Sequence, residues 1–366
     1  MGEVVVSGAR PTGRQHLGNY HGALKNWLRL QDERPCFFFV ADWHALTTDW
    51  ESPEALEENT AEMVLDWLAV GLDPGRATLF RQSAIKEHAE LYLLLGMLTP
   101  VPWLERNPTY KEQREQLQDR DLSTYGFLGY PVLQAADVLI YKAAAVPVGI
   151  DQAPHIELTR EIARRFNATY RPLFPEPETL LTDAPKILGT DGRKMSKSYN
   201  NAVYLSDPPK DVETKLSRMV TDPRRARRTD PGEPNDCPAY QSFHRLYCTP
   251  EEVDAKLSRM ITDPRRARRT DPGEPQDCPA YLSFHRLYCT PEELRYQEEG
   301  CRTAGIGCLE CKQITIRHVQ AELEPIRARR AQLRPADAVT ALAGGNTRAR
   351  IVAERTMAEV REAIGA

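Results

Sequence analysis

Apolar positions in the first half of the chain follow two alternating rhythms. Short β-branched or aromatic runs, Glu3 to Ser7 (EVVVS), Cys36 to Val40 (CFFFV), Ala77 to Phe80 (ATLF) and Ala145 to Val148 (AVPV), have strand length. Between them apolar residues recur at three- and four-residue spacing. Leu17, Tyr20, Leu24, Trp27 and Leu28 form one such face, and Leu56, Thr60, Met63, Val64, Trp67 and Leu68 another. Further helices are expected through Leu91 to Leu95 and along Leu158, Ile162 and Phe166. The second long face begins at Ser52-Pro53, with proline in a first turn that needs no N–H donor. Strand–helix alternation of this kind predicts an α/β fold with a doubly wound parallel sheet. After about residue 205 the strand signals fade and charge density rises. Gln313 to Gln332 and Thr347 to Ile364 have helix-forming composition, so residues 206–366 are expected to form a helical second domain behind a sheet domain at 1–205.

Composition changes this picture little. The 366 residues suffice for two domains and a substantial core. No apolar run has the roughly 18 residues that a bilayer demands, and no basic and then apolar leader opens the chain, so a cytoplasmic location is expected. The net charge of −4 excludes a general polyanion binder. Any nucleic acid must be held locally, and two arginine clusters offer themselves: Arg224, Arg225, Arg227, Arg228 and Arg265, Arg266, Arg268, Arg269.

Those clusters belong to a tandem repeat. Residues 215–252 recur at 256–293, a shift of 41, with differences at Val220/Ile261, Asn235/Gln276 and Gln241/Leu282. Two copies are too few for a solenoid. A recent in-frame duplication, or an error in the assembled sequence, explains it, and only one copy can occupy the original place.

Three segments carry phosphate chemistry. Ser7 to Gly13 (SGARPTG) follows the first strand, and His16-Leu17-Gly18-Asn19 opens the first helix. Open α/β sheets bind phosphates at such a strand–turn–helix junction. Gly18 leaves room for a flat base, and His16 and Asn19 can donate to phosphate oxygens. Lys194-Met195-Ser196-Lys197-Ser198 follows Gly189, Asp191 and Gly192, a polar loop whose two ammonium groups can track charge on departing pyrophosphate. Between them, at a strand end, Val146 to Gln152 (VPVGIDQ) presents Asp151 either to ribose hydroxyls or as a helix N-cap.

A fourth segment gathers hydrogen-bonding side chains. Tyr130, Gln134, Asp137 and Tyr141 share one helical face among apolar neighbours. A carboxylate there is costly to bury unless it meets a donor. The alternative is that these four residues form the solvent face of an amphipathic helix.

The order His-x-Gly-Asn, Gly-x-Asp-Gln, Lys-Met-Ser-Lys-Ser resembles the class I aminoacyl-tRNA synthetases over about the first 205 residues. The stretches SGARPTG, VADWHALTT, YPVLQAAD and VPVGIDQ look like the tryptophan branch of that family. Tyrosine enzymes share Tyr130, Gln134 and Asp137 but usually place a tyrosine on the first strand, where Val6 stands here. The resemblance implies a Rossmann-like catalytic domain at 1–205 and an anticodon-binding domain at 206–366. It implies ATP contacts from Arg10, Thr12, Gly13, His16, Gly18, Asn19, Gly149, Asp151, Gln152, Lys194, Met195, Ser196, Lys197 and Ser198. It assigns tryptophan contacts to Val6, His44, Tyr130, Gln134, Asp137 and Gln152. The catalytic charges are then His16, Asn19, Lys194 and Lys197, joined by Lys111 at the phosphates. Two positions depart from the family habit: Ile150 stands where glutamate is common, and Gln134 where many relatives have methionine.

Seven of the eight cysteines fall between 237 and 311. Cys278, Cys301, Cys308 and Cys311 have the spacing Cys-x22-Cys-x6-Cys-x2-Cys, a soft donor set for zinc or a [4Fe–4S] cluster. That spacing resembles an iron–sulfur subgroup of the bacterial tryptophan branch. The expected activity is ligation of tryptophan to tRNA(Trp) with ATP and Mg²⁺, in a homodimer. A non-catalytic RNA-binding paralogue, a tyrosine-specific relative and a small-molecule ligase of the same superfamily are the alternatives.

Overall fold

The computed structural model describes residues 3–51, 53–108, 123–149, 152–181, 187–220, 237–239 and 308–365. Five parallel strands form one sheet: β1 (Val5–Ala9), β2 (Cys36–Val40), β3 (Ala77–Arg81), β4 (Ala145–Val148) and β5 (Glu178–Leu181). Their order is β3-β2-β1-β4-β5, a Rossmann-like doubly wound arrangement that reverses direction beside β1. Four strands lie where the apolar runs placed them. β5 went unread because its four residues lie at the sheet edge, exposed at both ends and half-buried between, with no long apolar run to mark them.

The described helices are α1 (Leu17–Asn19), α2 (Lys25–Glu33), α3 (Asp42–Asp49), α4 (Leu56–Val70), α5 (Glu87–Leu98), α6 (Val101–Glu105), α7 (Tyr125–Leu139), α8 (Ala153–Thr169), α9 (Pro209–Ser217), α10 (Cys308–Gln332) and α11 (Pro335–Ile364). A π-helical turn, Tyr20–Leu24, joins α1 to α2. Strand side chains alternate between the two sheet faces, so one strand feeds two cores. Phe38 stacks on Trp27 of α2 at 4.4 Å between ring centroids, and Trp27 meets Trp67 of α4 edge-on at 5.3 Å. Val6, Phe39 and Phe80 turn the other way and pack with Leu91, Leu95, Val132, Leu139, Ile156 and Ile162 of α5, α7 and α8.

The chain divides into two compact units. One comprises Met1–Gln15, Gly22–Ala184 and Arg329–Ala366, and the other His16–His21 and Pro185–Ala328. The first contains the sheet and α11. That last helix runs past Gly344 and Gly345, the pair that hid its first turns in the sequence, and its glycine lies against the carbonyl of Leu79 on edge strand β3. Asn346 Oδ1 accepts the Arg81 N–H (2.9 Å), Arg348 donates to Pro74 O (2.7 Å) and Ala77 O (3.3 Å), and Arg350 donates to Ala84 O (2.8 Å). The exposed edge of the sheet is thereby covered rather than left to pair with another chain. No helix among the described residues is long and apolar enough to cross a membrane.

Candidate active site

In the sheet unit, Asp137 of α7 is completely buried yet surrounded by donors. His44 of α3 donates from Nε2 to Oδ2 (2.7 Å), and His88 of α5 donates from Nδ1 to Oδ1 (2.6 Å). Gln82 Nε2, just beyond the carboxyl end of β3, bridges both oxygens at 2.8 and 2.9 Å. The Trp43 N–H donates to Gln82 Oε1 (3.1 Å), which fixes the amide with its NH₂ towards Asp137. Burial pushes the Asp137 carboxyl up, but the hydrogen bonds of His44 and His88, and then their electrostatic attraction, outweigh it and hold the group below the ordinary aspartate value. The group is therefore an ionised acceptor at neutral pH.

Tyr130, two turns earlier on α7, is buried with its ring 6.4 Å from that of His44. Asn107 Nδ2 donates to His155 Nδ1 (3.0 Å), so the other ring nitrogen donates to Tyr130 Oη (2.9 Å). Burial raises the Tyr130 phenol well above its ordinary value and keeps it protonated. Val6 is fully buried in the same core. Gln134 is half-buried on α7, and Gln152 stands at the N-cap of α8 with its N–H donating to Gly149 O (2.9 Å). Arg10 donates to Thr48 Oγ1 (3.3 Å), Thr12 N–H donates to Arg10 O (2.9 Å), and Gly13 adopts the left-handed φ of 91° that favours glycine.

The second unit brings His16, Gly18 and Asn19 together with the Lys194–Lys197 loop. His16 caps α1: its Nδ1 accepts the Asn19 N–H (3.3 Å), and Asn19 Oδ1 accepts the His16 N–H (3.0 Å). Because Nδ1 accepts, the ring proton sits on Nε2. Burial, and then the charge of Lys194, lower the His16 pKa to about 4, so at neutral pH this donor is an uncharged imidazole. A side chain at Gly18 would press on the His16 ring at 2.9 Å and reach Met195 Cβ at 3.6 Å.

Asn201 anchors the lysine loop. Its Oδ1 accepts Ser196 N–H (2.8 Å), and its Nδ2 donates to Asp191 Oδ1 (2.7 Å) and Lys194 O (3.2 Å). Met195 is buried, while Lys194 and Lys197 are exposed. Residues of the first repeat copy support this unit: Leu216 and Met219 are buried, Lys215 pairs with Asp207 (2.6 Å), and Val220 N–H donates to Thr190 O (2.9 Å).

Lys111, Asp151, Cys278 and Cys301 lie outside the described residues, as do the side chains of Ser198, Cys308 and Cys311. Among the described residues no group of three or more histidine, cysteine or acidic side chains could hold a metal. Cys36 is a buried thiol pushed up to about 12 by burial, which makes it inert. Sequence reasoning missed Gln82, His88, Asn107 and His155. Only Gln82 carried a local signal, its place after the carboxyl end of a strand, where such sheets face their ligands.

Residues 3–264 match the family model described as tRNA synthetases class I (W and Y). The tryptophan–tRNA ligase of Thermotoga maritima is 46% identical over 363 aligned positions, covering 98% of each chain. That of Ralstonia nicotianae is 42% identical over 435 positions, covering 99% of this chain and 98% of its own. Among solved structures, the tryptophanyl-tRNA synthetase of Campylobacter jejuni complexed with ADP and tryptophan superposes with a TM-score of 0.76 at 29% identity, covering 99% of this chain and all of that one. With its His16 turn and Lys194–Ser198 loop gathered in one unit and its buried acceptor in the other, this chain belongs to the class I tRNA synthetases of tryptophan and tyrosine, and within them to the tryptophan–tRNA ligases.

Proposed function

We infer that the chain activates L-tryptophan with ATP and then transfers it to tRNA(Trp), with Asp137 reading the substrate. A carboxylate oxygen of tryptophan attacks the α-phosphorus of ATP, the bond to the β-phosphate oxygen breaks, and tryptophanyl-AMP and pyrophosphate form. The 2′-hydroxyl of the terminal adenosine of the tRNA then attacks the acyl carbon and AMP leaves. These steps require positioning and charge neutralisation more than covalent help from the protein. His16 suits a donor role on phosphate oxygens, since its Nε2–H is fixed by the cap and its ring is neutral. Lys194 and Lys197 supply the mobile positive charge, with Asn19 and Lys111 as further phosphate contacts. Mg²⁺ enters with the nucleotide, coordinated largely by its phosphates.

The observation that carries the amino-acid assignment is the ionised, fully buried Asp137 with three protein donors around it. A carboxylate offers about four acceptor positions. His44 and His88 take one each and Gln82 shares its donor between the two oxygens, so in this reading an indole N–H takes over one half of that shared contact. Val6, Tyr130, Gln134 and Gln152 complete the tryptophan contacts in this reading. Amino-acid-dependent ATP–pyrophosphate exchange across all twenty amino acids tests it. Tryptophan alone should support exchange; exchange with tyrosine would mean that the pocket is misread.

Residues 206–366 contain the anticodon-binding part in this reading, while α11 within that span packs on the sheet. Cys278, Cys301, Cys308 and Cys311 hold a [4Fe–4S] cluster there, with zinc as the alternative. The donor set supports a soft metal: four thiolates, three of them within eleven residues, with Cys308 opening α10 and Cys311 one turn along it. Such a cluster would tie these segments together rather than serve redox chemistry. Iron and sulfide analysis of anaerobically purified protein checks this, and stoichiometric zinc overturns it. The enzyme works in the cytoplasm as a homodimer. Leu93, Met97, Val101 and Tyr125, large apolar side chains exposed on α5, α6 and α7, support a paired surface.

A further inference from the structure

His88 takes no part in the chemistry above, yet it is completely buried and both of its ring nitrogens are engaged. Nδ1 lies 2.6 Å from Asp137 Oδ1, and Nε2 lies 2.8 Å from the hydroxyl of Tyr141, which follows α7 by two residues. An ionised carboxylate accepts only, so the Nδ1 position carries a proton. A neutral ring with its proton on Nδ1 must accept at Nε2, and the Tyr141 O–H is the donor that meets it. The chain of polarity therefore runs one way, from Tyr141 Oη–H to His88 Nε2 and from His88 Nδ1–H to Asp137 Oδ1. Phe39 and Phe80 pack their rings against that of His88, and Phe37 stacks on Tyr141 at 4.7 Å, so neither polar side chain has water to turn to.

We propose that His88 is a positioning residue for indole recognition: through the Tyr141–His88–Asp137 chain it fixes the orientation in which the buried carboxylate meets the ring N–H of the amino acid. This rests on the reading of Asp137 as the indole acceptor. Gln82 and His44 hold the carboxylate from β3 and α3, and His88 supplies the donor from α5. Without His88, Oδ1 keeps only the shared Gln82 hydrogen, and the carboxylate is free to rotate towards that side. A weakened acceptor still admits a ring of the right size but no longer distinguishes one with an N–H from one without.

The test compares tryptophan with its benzothiophene analogue, in which sulfur replaces the ring N–H. The ratio of kcat/KM for the two in ATP–pyrophosphate exchange reads the hydrogen bond, while a packing defect moves both substrates together. In His88→Ala the ratio should fall on the order of 10- to 100-fold, as expected for one charge-assisted hydrogen bond, with the loss concentrated in KM for tryptophan. In His88→Asn, whose amide can replace the Nδ1–H, much of the ratio should return. Tyr141→Phe keeps the shape and removes the O–H, and should lower the ratio by about 3- to 10-fold. An unchanged ratio in His88→Ala overturns the proposal; should that variant fail to fold, an unchanged ratio in Tyr141→Phe does so. Asp137→Ala, which has no acceptor, separates the two levels. If it keeps the discrimination of the wild type, the indole reading fails; if it loses it while His88→Ala retains it, only the role of His88 fails.

Discussion

Gly345→Ala tests the dependence of the pocket on a helix far from it in sequence. Helix propensity alone favours the change by about 1 kcal/mol. The tertiary structure reverses the sign, because a methyl group at 345 would overlap the carbonyl oxygen of Leu79. Leu79 cannot retreat, since β3 is hydrogen-bonded into the sheet beside β2. The helix must instead move away by on the order of an ångström, enough to forfeit its close contacts. Four hydrogen bonds cross that contact: the Arg81 N–H donates to Asn346, and Arg348 and Arg350 donate to backbone carbonyls of residues 74–84. At roughly 1 kcal/mol each they contribute about 4 kcal/mol, and alanine's propensity offsets about 1 kcal/mol of the loss. A net destabilisation of about 3 kcal/mol follows, measurable as a lowered urea midpoint followed by tryptophan fluorescence. Arg81, whose N–H leaves Asn346, also binds Asp42, and Asp42 accepts the Ser83 N–H (3.0 Å) beside Gln82. KM for tryptophan should therefore rise in the folded variant. A variant as stable as the wild type, or more so, would refute the argument.

Asp66 and the repeat give further predictions. Asp66 accepts the Gln15 N–H (2.6 Å) and pairs with Arg330 (3.0 Å), yet burial, partly countered by these two, raises its pKa from 3.8 to about 6. The folded state therefore holds this proton more tightly than the unfolded chain, so the stabilising proton is lost as pH rises from about 4 to about 6, at roughly 3 kcal/mol in all. Asp66→Asn lacks this loss, so its stability relative to wild type should improve by about that amount from about pH 4 to about pH 7; a constant difference in urea midpoint would contradict it. Deleting Lys215–Ala255 joins Thr214 to Lys256, whose following residues repeat those after Lys215 apart from Val220/Ile261 within the described stretch. The shortened chain should keep tryptophan-dependent exchange within a few-fold of the parent, and loss of folding would show that both copies are structural.

Much of the catalytic half was legible because its signals are local. Val5, Phe38, Leu79 and Val146 sit in runs long enough to define buried strands, and Asp137 stood out as a carboxylate on an apolar helix face. The His16 turn and the Lys194–Ser198 loop were legible as short motifs whose chemistry lies in their own residue types. β5 escaped because an edge strand need not be apolar, and α11 was shortened because tandem glycines mimic a helix stop until a neighbouring strand requires them.

The sequence by itself determined the alternation of strands and helices, the phosphate motifs and the presence of one carboxylate on an apolar helix face. Only the tertiary structure decided that this acceptor stays ionised. Its donors come from residues 44, 82 and 88, on three elements separate from α7, and an isolated helix could not hold a charge there without them. The same holds for Gly345 against Leu79, 266 positions apart in sequence. Propensity and periodicity act within a few residues of the chain, whereas desolvation and hydrogen bonding act through space and depend on which segments the packed sheet brings together.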